Sequence, residues 1–351
     1  GGILRVKLVV DDERSAAAVV HATKPRRSSP WSHQLRQAAE DAYKRLLKPS
    51  LSNEVRATVR RRSERDAIDV FSRNLENLLL AAPLGARAVV GIDPGFRTGC
   101  KMVALDATGR FLAKKTLFPH EKRRRDGEFV ELRRFLERYR PSAVAVGNGT
   151  AGRETEAVVK QVTCAAPSLS DVIVVSVNEA GASVYSASET ARDEFPDLDL
   201  TYRGAISIGR RLQDPLAELV KVAPQAIGVG QYQHDVDARR LEERLGHVVE
   251  RCVNRVGVDA NTASRQLLTH VSGVGPKLAE TIVLHRESHG RFETRRQLLG
   301  VKGMGPKRYE QAAGFLRVHG PNPLDASAVH PEQFETVERM ARSQGVSLEA
   351  L

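Results

Sequence analysis

The chain has 351 residues, 41% hydrophobic and 28% charged, which excludes a disordered polymer and suggests about two or three domains. No apolar run approaches the roughly 20 residues that cross a bilayer, and no basic-then-apolar leader opens the chain, so a cytoplasmic protein with no membrane partner is expected. The net charge of +11 favours polyanionic partners. Cys100, Cys164 and Cys252 are far apart and form no CxxC pair, so neither a disulfide framework nor a zinc site is suggested; buried reduced thiols and no cofactor are expected.

The opening GGILRVKLVV and the closing FETVERMARSQGVSLEAL read as a fragment cut from a longer protein. Residues 3–10 alternate as a strand and 21–30 read as an exposed basic loop, so 1–30 is expected to be the remnant of an N-terminal region. A helix capped by Ser32 should run until Pro49 stops it, and a second should open near Asn53 and reach Leu79, giving a helical region over 31–87. Arg60, Arg61, Arg62 and Arg65 on that second helix read as a solvated face. From Ala88 the period changes to that of strands. AVVGIDP, CKMVALD and RFLAKKTLF form a three-strand meander, followed by a helix (126–139), a strand (SAVAVGN), a helix (152–162), a strand (VIVVSVN) and further helices from 182 to 220. That order implies a mixed sheet with helices on its faces over 88–205. A helical linker is expected over 206–262, and Gly228–Asp235 (GVGQYQHD) reads as a joining loop because no catalytic partners accompany its histidine.

VSGVGPKLAETI (271–282) and VKGMGPKRYEQA (301–312) match at an offset of 30, sharing Val, two Gly, Pro, Lys and Glu. Each copy follows one helix and opens another, the pattern of a helix-hairpin-helix. Gly273 and Gly275, and again Gly303 and Gly305, permit a tight turn with exposed backbone N–H groups at a helix N-terminus. Pro276 and Pro306 suit the first helical turn; Lys277 and Lys307, with Arg308, can pair with a phosphate. From Arg265 to Gly320 ten Lys and Arg face four Glu and no Asp. A tandem helix-hairpin-helix domain is therefore expected over 263–320, binding nucleic acid, RNA or DNA, without sequence preference. Residues 321–351 are expected to be a tail.

In VVGIDPGFRTGCKMVALD, Asp93 ends a strand before Pro94-Gly95, which resembles the first metal-binding carboxylate of the RNase H and RuvC superfamily. Two-metal hydrolysis needs three or four converging carboxylates. The fourth strand ends in Asn148, and Tyr202 and the basic Arg203 stand about where the last acid is expected. Asp93 and Glu179 are left as vestigial candidates, with Glu154 and Asp214 as substitutes if the fold brings them in. No metal and no catalysis are expected, and Asp93 is read as an acceptor for the turn amides or an ancestral remnant.

The motifs LLLAAPLGARAVVGIDPGFRTGCK, VGNGT, VNEAGASVYSASE, RGAISIGRRLQDPLAELVK, IGVGQYQHDV, VNRVGVDANTAS, AAGFLR and NPLDASAVHPE together resemble one family, the bacterial transcription accessory protein Tex. The resemblance spans about residues 35 to 340. It implies a YqgF domain of RNase H-like fold and tandem helix-hairpin-helix motifs, with an N-terminal helical region and a C-terminal OB-fold RNA-binding domain; these 351 residues are expected to hold little of the former and none of the latter. The fold class is then a multidomain α/β plus all-α chain, an RNase H-like mixed sheet with flanking helices followed by the helical hairpin domain. The function implied is a nucleic-acid-binding transcription accessory factor. Its rivals are a RuvC-like metal-dependent nuclease centred on Asp93, and a scaffold that contacts the transcription or translation machinery.

Overall fold

The structure, a computed structural model, describes residues 6–24, 29–121 and 125–348. It divides into two compact units, residues 1–69 and 70–351.

In the first unit, the Asp11 carboxylate accepts from Arg14 N (3.0 Å) and caps α1 (Asp12–Ala22). Asp12 and Glu13 favour the positive end of the helix dipole, and three alanines follow. The expected strand does not form: Val6–Val10 are exposed and outside any sheet, while residues 3–5 lie outside the described residues. Of the expected basic loop, His21 and Ala22 belong to α1, and 25–28 lie outside the described residues. Pro49 does not end the next helix. α2 (Ser32–Ala42) passes through a π turn, Tyr43–Leu47, directly into α3 (Lys48–Leu79). Proline lacks an N–H and its ring crowds the carbonyl one turn back; the wider π turn supplies that room. Ser32 is the first helical residue and not a side-chain cap. Arg60, Arg61, Arg62 and Arg65 are exposed, Arg60 pairing with Glu64 (2.8 Å).

The second unit is built on a sheet of order β3-β2-β1-β4-β5. β1 (Val89–Asp93) pairs antiparallel with β2 (Cys100–Leu105), β2 antiparallel with β3 (Phe111–Leu117), and β1 and β5 (Ile173–Val177) run parallel to β4 (Ala143–Gly147). Alternate strand residues face opposite layers. On one face Val90, Ile92, Met102 and Val146 pack with α4 (Arg125–Tyr139) and α5 (Gly152–Ala165) through Leu132, Leu136 and Val159. On the other, beyond α6 (Ala182–Ala187) and α7 (Glu189–Glu194), α8 (Leu200–Gln213) lays Ala205, Ile206 and Ile208 on Val89, Val103 and Leu105. A Cβ on Gly209 would stand only 3.3 Å from Gly91 Cα, so the crossing needs both glycines. This is the expected RNase H-like arrangement. α8 crosses residue 205, the expected limit of the sheet domain, and its last residue still serves the sheet: Gln213 Nε2 donates to Arg87 O and Asp106 O (both 2.7 Å).

After α9 (Pro215–Leu219), the Gly228–Asp235 loop is clamped by its own backbone. Val229 O accepts from Asn74 Nδ2 (2.7 Å), Val229 N donates to Gln233 Oε1 (3.0 Å), and Gly230 lies against the Phe71 ring. α10 (Ala238–Val256) buries Leu241, Leu245, Val248, Val249, Cys252 and Val253. Cys100 and Cys252 are buried, but Cys164, at the end of α5, is exposed. Among the described residues no helix is long and apolar enough to cross a membrane.

Candidate nucleic-acid interface

Both repeats fold as helical hairpins. The first joins α11 (Arg265–Thr269) to α12 (Pro276–His289); the second joins a 3₁₀ turn, Arg295–Gly300, to α13 (Pro306–Ala313). The turns are equivalent: Val274 N donates to Val271 O (2.9 Å) and Met304 N to Val301 O (3.0 Å). The two glycines of each turn have different tasks. Gly273 (φ 82°) and Gly303 (φ 94°) lie in the left-handed region that other residues avoid. Gly275 (φ −84°) and Gly305 (φ −74°) are extended, and no heavy atom lies within 4 Å of a Cβ placed on either. Of the four glycines read as permitting an exposed turn, only Gly273 and Gly303 thus have a backbone that favours glycine, while Gly275 and Gly305 have open space in front of them.

Gly275 and Gly305 occupy the N-cap positions of α12 and α13, and neither helix start has a side-chain cap. The amides of Gly275, Lys277 and Leu278, and of Gly305, Lys307 and Arg308, have no acceptor among the described residues. A helix N-terminus without a cap presents unsatisfied donors and a positive dipole end, a site suited to an anion. Lys277 and Lys307 are exposed and have no acidic partner among the described residues; Arg308 is exposed, with Nη1 donating to Gly303 O (3.0 Å).

The hairpins rest on each other. The Gly273 turn meets Arg308 O and Gln311 of α13, and the Gly303 turn meets Leu278 of α12, where 278 and 308 are equivalent positions of the repeat. β6 (Val258–Asp259) and β7 (Leu316–Arg317) close the base as a short parallel ladder, with Val258 N donating to Phe315 O (2.8 Å) and Ala260 N to Arg317 O (2.9 Å).

The segment after Gly320 is tied in by Arg295, which is fully buried. Its guanidinium donates to the carbonyls of Ala313 (2.7 Å), Val329 (2.9 Å) and Leu324 and to Asp325 Oδ1 (3.2 Å), and lies over the Phe334 ring. α14 (Pro323–Ala326) and α15 (Phe334–Gln344) follow, so the NPLDASAVHPE string supplies three acceptors of one arginine, Leu324 O, Asp325 Oδ1 and Val329 O.

At the carboxyl end of β1, Asp93 and Glu179 come together. Burial first, and the Glu179 carboxylate second, raise the Asp93 pKa to about 6 against the opposing effect of Lys101. No turn amide donates to Asp93 among the described residues, which corrects its reading as a turn acceptor. Glu179 is placed by its neighbours: its N donates to Asn148 Oδ1 (3.2 Å), Arg211 Nη1 holds the carbonyls on either side of it, Asn178 O (2.7 Å) and Ala180 O (2.8 Å), and Cβ atoms on Gly147 or Gly149 would overlap its carboxylate. The helix residue facing Asp93 is Gly204, where a Cβ would stand 3.1 Å from Oδ2. Tyr202 turns to Thr116 (2.6 Å) and the buried Arg203 to Ser186 O (3.5 Å), so neither fills the expected acidic position. Glu154 is exposed at the start of α5, and Asp214 caps α9 through Ala217 N (2.9 Å). Among the described residues no three His, Cys, Asp or Glu are grouped to hold a metal ion.

Comparison with known proteins follows this division. Residues 87–213 match the Tex protein YqgF-like domain, 253–317 a helix-hairpin-helix motif and 322–351 an HHH domain. The chain is 53% identical over 302 residues to protein YhgF of Escherichia coli, covering 86% of this chain and 39% of that protein. It is 48% identical over 314 residues to the transcriptional accessory protein Tex of Neisseria gonorrhoeae (89% and 41%), and 37% identical over 367 residues to human S1 RNA-binding domain-containing protein 1 (90% and 36%). It therefore spans about two fifths of the length of these relatives. With the sheet, the paired hairpins and the segment after Pro321 each matched in turn, the chain belongs to the Tex family.

Proposed function

We propose that this chain binds the phosphodiester backbone of nucleic acid without regard to sequence and serves as an accessory factor in transcription. The observation that carries the reading is the pair of helix starts at Gly275 and Gly305, where, among the described residues, no side chain caps the helix, the first amides have no acceptor and the adjoining lysine has no acidic partner. Amides and lysines meet phosphate oxygens, which are alike at every base. In this reading Gly273 and Gly303 shape the turns, Gly275 and Gly305 keep the approach open, and Lys277, Lys307 and Arg308 supply charge. The name of the gonococcal relative supports the role in transcription. Contact with the transcription or translation machinery belongs to the same proposal.

The proposal includes no hydrolytic step. Support for leaving it out comes from Gly204, which stands beside Asp93 where a third carboxylate would complete the set. Asp93→Asn should leave nucleic-acid affinity unchanged; manganese-dependent cleavage that vanishes in this variant would establish the nuclease reading instead.

The binding test is a fluorescence-anisotropy titration of the full chain against duplex DNA and single-stranded RNA over a salt series. Affinity should fall linearly on a log–log plot and be alike for unrelated sequences. The double substitution Gly275→Val and Gly305→Val should abolish most binding and leave the melting transition in place, since valine adopts both dihedral pairs while its methyls cover the amides. Unchanged affinity in the folded double variant removes the hairpins from the reading.

A further inference from the structure

The repeat places equivalent residues at both hairpins, yet the two are unequal. The first turn is closed down. Ser272 N donates to Asn254 Oδ1 (3.0 Å), Asn254 Nδ2 donates to His270 O (3.2 Å), and a Cβ on Gly273 would stand 3.1 Å from Gln311 Cβ and 3.2 Å from Arg308 O. The second turn is open. Lys302 N has no acceptor among the described residues, and the nearest atom to a Cβ on Gly303 is Leu278 Cδ1 at 3.8 Å.

The charges differ as well. Where the first hairpin has Ser272 and the buried Leu278, the second has Lys302 and Arg308, both exposed. Three cations, Lys302, Lys307 and Arg308, thus flank the Gly305 amide within one turn of chain, while Lys277 stands alone at Gly275. Glu280 and Glu310 occupy the same repeat position, so acidic residues do not cancel the contrast. Arg308 is also pre-positioned: one nitrogen is fixed on Gly303 O (3.0 Å), which lowers the entropy lost when the remaining donors meet an oxyanion.

The surroundings sharpen the difference. Gln266 of the first hairpin donates to Thr190 Oγ1 on α7 (3.3 Å), and Lys277 shares an open groove with Val220 at the end of α9. The equivalent of Gln266 in the second hairpin is the exposed Arg296.

We infer that the second hairpin is the principal phosphate site, that Lys302 is one of its contacts, and that the first hairpin mainly braces it against the sheet domain. This rests on the hairpins being the nucleic-acid contacts proposed above. The ligand chemistry is a phosphodiester backbone, whether DNA or RNA.

The test compares Lys277→Ala, Lys302→Ala and Lys307→Ala in the full chain, with labelled 20-mer duplex DNA and single-stranded RNA of equal length. All three lysines are exposed, so the variants should stay folded, which a thermal melt of each checks. Lys302→Ala and Lys307→Ala should each reduce the salt slope by about 0.9 on duplex or about 0.7 on single strand, and Lys277→Ala by much less. The polymer bound more tightly by the unsubstituted chain at equal salt identifies the source of the phosphate. Equal losses at Lys277 and Lys307 overturn this inference and leave the hairpins as the binding site; no loss at any of the three overturns both readings.

Discussion

Because Asp93 titrates near 6 in the folded chain and near 3.8 when unfolded, the unfolded chain releases a proton between those values that the folded chain keeps. Stability attributable to this group is therefore highest below about pH 4, falls as pH rises and is level above about pH 6. Asp93→Asn should abolish that fall. Its gain over wild type should be absent at pH 3.5, complete at pH 7.5 and at most about 3 kcal/mol, measured by urea denaturation at both values. The glycines of the turns supply a second prediction. Gly273→Ala should lower stability by about 1–2 kcal/mol, through its left-handed backbone and its closeness to Arg308 O. Gly275→Ala should be nearly neutral in the same denaturation experiment. In the sequence these two glycines look alike; Gly273 is the third residue of the turn closed by Val274 N on Val271 O, a position with positive φ, whereas Gly275 is the extended N-cap of the helix that follows.

At the scale of elements, Arg295 decides what counts as the hairpin domain. A chain ending at Gly320 would leave its guanidinium buried without Leu324 O, Asp325 or Val329 O, so the isolated segment 258–320 should fail to give a cooperative melt, whereas one extended to 344 should melt cooperatively. Arg295→Ala should cost about 3–5 kcal/mol, because Asp325 is then buried without its charge partner. Neither effect is legible in the sequence, where Arg295 stands beside the exposed Arg296 and both look like surface cations. The sheet was legible for the opposite reason. Its strands alternate or run apolar between Gly, Pro and Asn punctuation, and its helices keep a 3.6-residue period, so the local pattern and the packed layers agree. The carboxylate end was only half legible: Asp93 and Glu179 follow from strand ends, but which residue of α8 faces them depends on helix phase, and the phase places Gly204 there, not Tyr202 or Arg203. Pro49 misled because a π turn can absorb a proline that would stop a regular helix.

For the molecule as a whole, the +11 charge matters through its placement: of the ten cations between Arg265 and Gly320, Lys277 follows one helix start and Lys302, Lys307 and Arg308 flank the other, and neither start has a side-chain cap among the described residues. If three phosphates are contacted, raising salt from about 50 to about 200 mM should weaken duplex binding by about 40-fold; a change of a few-fold would mean that a single contact dominates. The ladder between β6 and β7 adds a mechanical property to this arrangement. Its strands run in the same direction, so a pull on the chain before Val258 and after Arg317 slides one strand along the other. Both cross-strand hydrogen bonds then stretch together and not one after the other. Tension passed along the backbone is resisted in shear at the foot of the paired hairpins, and the turns that hold Lys277 and Lys307 keep their shape while the load lasts.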